Sequence, residues 1–108
     1  MQVDLVSSAG RLEALLEESP DPRFAAVVCH PHPLFGGTMH THAAYRIARA
    51  VRERGGTALR FNFRGVGRSS GRYDGGEGEA DDARAALAFL AAERPGLAPV
   101  EALEEGIS

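Results

Sequence analysis

The chain has 108 residues, enough for one small domain and fewer than the roughly 150 that a complete doubly wound α/β enzyme uses to cover both faces of its sheet. Its 44% hydrophobic content supports a buried core and excludes disorder throughout, despite 13 Gly and 6 Pro. Twelve basic residues, all of them Arg, face fifteen acidic ones for a net charge of -3; without a basic cluster to track a phosphate backbone, nucleic acid is excluded as an expected partner.

Met1 to Gly10 carries Asp4 and no basic residue, unlike a secretory leader, and no apolar stretch is long enough to span a bilayer. A cytoplasmic protein without a membrane partner is expected. Gln2 to Ser7 alternates weakly, Ala9-Gly10 reads as a turn, and Arg11 to Glu18 is a second apolar run through Leu12, Leu15 and Leu16. Two strands in a hairpin fit, with a helical stripe through the three leucines as the alternative. After the Ser19-Pro20-Asp21-Pro22 loop, Phe24 to Cys29 is apolar on both faces, as a central parallel strand is. Cys29 is the single cysteine, so no intrachain disulfide forms, and a small buried hydrophobe is its expected role.

His30 to Thr38 is irregular by its prolines and paired glycines. A helix is predicted from about Thr38 to Arg54, with Ala44, Ile47, Ala48 and Val51 on one face, Thr38 or Thr41 as cap, and Gly55-Gly56 as stop. The next strand, Thr57 to Phe63, sets Leu59, Phe61 and Phe63 on one face and Arg60 and Asn62 on the other. Arg64 to Gly78 is a glycine-rich loop. A second helix is predicted from about Ala80 to Glu93, with Asp81 and Asp82 at its positive end and Ala83, Ala86, Leu87 and Leu90 facing the core. Alternation of strands and helices implies an α/β fold with right-handed crossovers.

Three motifs invite chemistry. Gly65-x-Gly67 has Ser70 where a dinucleotide fingerprint needs its third glycine, and the following helix begins too late to receive a pyrophosphate, so no such cofactor is expected. Gly67-Arg68-Ser69-Ser70-Gly71 spells G-x-S-x-G, which makes Ser69 a candidate nucleophile. A nucleophile elbow, however, runs from strand through one sharp turn directly into helix, and here Arg-Gly-Val precedes the motif and a glycine loop follows. A turn serine is the competing reading. His30-x-His32 and His40-x-His42 have a spacing seen at metal sites, but no carboxylate lies between Cys29 and His42 to complete a set, so solvent-exposed histidines are expected and no metal is assigned.

The segment from HPHPLFGGTM through RFNFRGVGRSSG to ARAALAFL resembles a bacterial α/β-hydrolase family related to dienelactone hydrolases and serine aminopeptidase-like hydrolases, over roughly Phe24 to Pro95. PHPLFGGTM and RFNFRGVGRSSG stand in the order and at the separation that this family shows. The resemblance implies a partial α/β-hydrolase fold: a mostly parallel sheet with an N-terminal antiparallel hairpin, flanking helices, and a structural RGVGRSSG loop. It implies esterase-like chemistry on a small-molecule acyl substrate, by a serine, a histidine and an acid without any cofactor. It also places one N–H of the oxyanion hole in the loop after Phe24–Cys29. Pro31 and Pro33 have no donor to offer; Leu34 is taken as the candidate among the rest, with a plain rigid connector as the competing reading.

Beyond Pro95 the family continues with an apolar strand and its nucleophile elbow, whereas this chain reads LAPVEALEEGIS. Residues 1–96 are therefore read as the N-terminal half of the hydrolase domain and 97–108 as a divergent tail, a short helix or frayed end. Gly106-Ile107-Ser108 begins a G-x-S-x-G, so Ser108 is a second weak candidate. A buried strand before it would have to hide Glu101, Glu104 and Glu105 without partners, and no residue follows to donate an oxyanion N–H. The expectation is a hydrolase-like chain truncated before its nucleophile and inactive alone. Two alternatives stand beside it. One is a non-catalytic half-domain that self-associates or docks through an unpaired edge of Phe24–Cys29; the other is a histidine metal protein.

Overall fold

The computed structural model describes residues 1–30 and 37–103. Its elements are β1 (Gln2–Ser7), β2 (Gly10–Glu18), β3 (Phe24–Cys29), α1 (His42–Glu53), β4 (Gly56–Phe61), α2 (Glu77–Glu93) and β5 (Pro99–Leu103). The strands form one sheet in the order β1-β2-β4-β3-β5. β2 runs antiparallel to both its neighbours, and β3 runs parallel to β4 and to β5, so β2 alone opposes the common strand direction.

Local alternation decides what each face carries. In β2, Leu12, Ala14 and Leu16 turn to one side, where they join Leu5, Ala25, Val27, Leu59 and Phe61 against Ala83, Ala86 and Leu90 of α2. This excludes the helical alternative for the leucines of β2, because a period of two puts Leu15 on the face away from that core. The opposite face of the sheet offers Val28 and Ala58 to Ala44, Ile47 and Ala48 of α1. The result is a three-layer arrangement with one helix on each side of the sheet.

The helix ends differ from expectation for identifiable reasons. α1 begins at His42 rather than near Thr38, because Thr41 is the cap: its Oγ1 accepts from Ala44 N at 3.4 Å. Thr38 instead accepts from His40 N in the turn before it. α2 begins at Glu77, three residues earlier than its pattern suggests, so its first-turn acids are Glu77 and Glu79 and not Asp81 and Asp82. Gly78 hides this start, since glycine is a poor helix former. A Cβ there would fall against the Arg64 guanidinium and the Asp74 carboxylate, which would have to shift. Asp74 Oδ1 also accepts from Gly78 N at 3.0 Å, which satisfies one of the open donors of the helix start.

Two further expectations are corrected. β4 stops at Phe61 rather than Phe63, because Phe63 N donates to the His30 Nε2 side-chain atom and not to a neighbouring strand. The edge of β3 is not open. Residues 99–103, expected as a frayed end or short helix, pair with it in parallel from Ala25↔Pro99 to Cys29↔Leu103. Glu101, followed by Glu104 and Glu105, concealed the strand. At a sheet edge, though, a strand is wetter than a central one, Val100 being 57% exposed, and a proline at its first residue is tolerated there. No described helix is long and apolar enough to cross a membrane.

Candidate functional site

The connections leaving neighbouring strands β3 and β4 lead to helices on opposite faces of the sheet, α1 and α2. Where adjacent connections part in this way, a crevice opens at the carboxyl ends of the strands, and open α/β sheets place their ligand sites there. The residues that reach this edge are His30 at the end of β3, Met39 before α1, Asn62 and Phe63 after β4, and the glycine loop that follows.

His30 is buried, contrary to the expectation of solvent exposure, while His40 and His42 are exposed. Its Nε2 accepts from Phe63 N at 3.1 Å, and its ring meets the Phe63 ring edge to face at 4.9 Å. An acceptor Nε2 carries no proton, so this arrangement selects one neutral tautomer of the imidazole. Among the described residues no three His, Cys, Asp or Glu side chains gather as metal ligands would. His32 and Leu34 lie outside the described residues, as does Ser108.

Asn62 is the centre of the edge. It is 1% exposed, and all of its polar groups are engaged. Oδ1 accepts from Met39 N at 2.7 Å, and Nδ2 donates to Glu13 Oε1 at 2.6 Å. Its backbone N donates to Glu13 O and its backbone O accepts from Ser69 Oγ at 2.7 Å. Glu13 is likewise buried, and the same Oε1 also accepts from Arg68 N at 2.7 Å. A Cβ on Gly67 would collide with that oxygen and lie 2.6 Å from Asn62 Nδ2, so the close approach of the loop needs glycine at this position, where φ is +55°. Arg60, paired with Glu17 at 2.8 Å, donates from Nη1 to Met39 O at 2.9 Å.

Ser69 sits inside this cluster and is 8% exposed. Its single proton is donated to Asn62 O, and its oxygen accepts from Glu13 N at 3.1 Å. The hydroxyl thus bridges a backbone N–H within β2 and the carbonyl just past the end of β4. Ser70 N donates to Arg11 O at 2.7 Å and ties the same loop to the start of β2.

A second polar cluster anchors the loop to α2 and the hairpin. The fully buried Asp82 carboxylate accepts from Arg64 N at 2.8 Å, from Arg64 Nη2 at 2.9 Å and from Ser7 Oγ at 2.7 Å. The hydrogen bond to Asp82 holds the Arg64 guanidinium above its usual pKa. Asp81 accepts from both Ser8 Oγ and Ser8 N, and these bonds lower its carboxyl below the usual range.

Sequence reasoning put Arg60 and Asn62 on the face away from the main core but assigned them no role, and it passed over Glu13, Met39 and Arg64. The available signal was an antiparallel strand pair with Glu13 and Glu17 on the same face as Arg60 and Asn62. It becomes legible only once the register Ala14↔Phe61 is known.

No family profile matches the sequence. The uncharacterized protein RP471 of Rickettsia prowazekii is 42% identical over 87 residues, which is 80% of this chain and 37% of that protein. An α/β serine hydrolase homologue from Coxiella burnetii superposes with a TM-score of 0.91 at 35% identity, covering 95% of this chain and 50% of its own. XC6422 from Xanthomonas campestris, an α/β serine hydrolase without a lid, gives a TM-score of 0.88 at 39% identity, covering 95% and 49%. The chain therefore spans about half the length of these solved structures. In sequence and in architecture it is similar to the N-terminal half of these α/β serine hydrolase homologues, and it carries that half of the fold.

Proposed function

We propose that this chain is the sheet and oxyanion side of a serine acyl hydrolase, and that it does not hydrolyse esters by itself. The observation that carries the reading is its likeness, at 35% and 39% identity over 95% of the chain, to two α/β serine hydrolase folds. The Ser69 hydroxyl supports the second half: a nucleophile needs a base beside it, and this proton is already given to a backbone carbonyl. Leu34, in the connection that follows β3, is the proposed oxyanion donor, and a small acyl ester the proposed substrate class. No cofactor takes part in this chemistry.

The test is a fluorophosphonate probe with mapping of the labelled residue, run beside p-nitrophenyl acetate turnover. Neither Ser69 nor Ser108 is expected to be labelled. Saturable turnover abolished by Ser69→Ala or Ser108→Ala refutes the reading. A non-catalytic half-domain that pairs with another polypeptide is the second reading. It is favoured by β5, which among the described residues pairs with β3 alone and leaves Val100 57% exposed. Light scattering after size exclusion decides it, since a monomer at all concentrations sinks the pairing.

A further inference from the structure

We infer that Asn62 is a positioning residue, which acts through Met39 to fix where the β3–α1 connection returns to the sheet. The inference rests on the acyl-hydrolase reading for its purpose, because that connection is the proposed carrier of the oxyanion donor.

The geometry is specific. Met39 is held at three points: its side chain is 1% exposed, its N–H is donated to Asn62 Oδ1 at 2.7 Å, and its C=O accepts from Arg60 Nη1 at 2.9 Å. The other end of the connection is tied to the same stretch of chain, since His30 Nε2 accepts from Phe63 N. Residues Arg60 to Phe63 thus grip both ends of the connection between the site's two strands. Asn62 is oriented in turn by Glu13: an amide can present Oδ1 to Met39 only while Nδ2 has an acceptor, and Glu13 Oε1 supplies it at 2.6 Å. A hydrophobic residue at 62 would fill the space but leave the Met39 N–H without its partner. An oxyanion donor that is misplaced by a fraction of an ångström loses much of its effect, which is why the anchors of such a loop matter to the chemistry.

The experiment uses the whole chain, labelled with ¹⁵N, and reads the Met39 amide shift and hydrogen exchange in wild type, in Asn62→Ala and in the double variant E13Q/N62D. The double variant exchanges amide and carboxylate, conserves charge, and still offers an acceptor to Met39 N and a donor between the two side chains, while the Arg68 N–H loses the Glu13 oxygen it shares with Asn62. Exchange at Met39 is expected to accelerate at least tenfold in Asn62→Ala beyond any change in the α2 amides, with the wild-type shift and protection restored in E13Q/N62D. Unaltered Met39 protection in Asn62→Ala overturns the inference. So does a uniform acceleration across α2 that E13Q/N62D fails to reverse at Met39, because Asn62 would then serve packing alone. If Asn62→Ala does not fold, the Met39 shift in E13Q/N62D decides by itself. Ester turnover is not part of this readout, so a chain that hydrolyses p-nitrophenyl acetate refutes the proposed function and leaves the positioning result separately legible.

Discussion

Replacing Asn62 by Asp alone changes one NH₂ group to oxygen and sets a second carboxyl 2.6 Å from Glu13 Oε1 in a buried site. Two ionised carboxylates at that distance repel by about 6 kcal/mol at an effective dielectric constant of 20. Holding one proton on the pair at pH 7 costs less, about 4 kcal/mol, since the ordinary carboxyl pKa is near 4 and each unit is worth about 1.36 kcal/mol. The cheaper route prevails, so the pair keeps a shared proton at neutral pH. The folded-state pKa of the pair is thereby raised above its unfolded value. Stability associated with the pair is then complete below about pH 4 and is lost as pH rises toward the folded pKa. Relative to wild type, N62D is expected to be nearly as stable at pH 4, about 1 kcal/mol weaker at pH 5, and about 4 kcal/mol weaker at pH 7. Urea denaturation of both proteins at half-unit pH steps measures the difference directly. A difference that does not vary with pH refutes the reasoning, for it would mean that water reaches the pair or that the two side chains separate.

Two further outcomes follow from the second polar cluster. Asp82→Ala leaves the buried Arg64 guanidinium and the Ser7 hydroxyl without their main acceptor, and a loss of about 3–5 kcal/mol is expected by urea denaturation; a loss under about 1 kcal/mol means the cluster is solvated. At Asp81 the Ser8 bonds depress the carboxyl pKa, so their contribution is present above the unfolded value and disappears as pH falls through the folded one. Ser8→Ala is expected to raise the Asp81 titration midpoint toward the ordinary range in an NMR titration, and an unmoved midpoint counts against those bonds as the cause.

How the chain reads depends on the range over which each feature is specified. The hairpin, β3, the core face of α1 and the core face of α2 were legible because periodicities of two and of about 3.6 are local properties of short segments. The sides of β2 were not, for the sequence offered Leu12, Leu15 and Leu16 as one run and only the strand puts Leu12, Ala14 and Leu16 on the core face. The start of α2 was obscured by Gly78, a poor helix former that packs against the Arg64 side chain. The strand Pro99–Leu103 was missed because Glu101, with Glu104 and Glu105 just beyond the strand, looks wrong for a central strand, and nothing local says that it pairs at the end of the described sheet.

The amino-acid sequence by itself determined the fold class, the order of elements as far as α2 and the resemblance to α/β hydrolases, since all three follow from patterns within segments and from two motifs at a fixed separation. Tertiary structure alone decided the polar cluster at the strand ends. Asn62 reaches Glu13 across 49 positions of chain and Ser7 reaches Asp82 across 75. Such pairs are created by sheet register and crossover, and a carboxylate or an amide in a strand has no buried role until the fold supplies its partner.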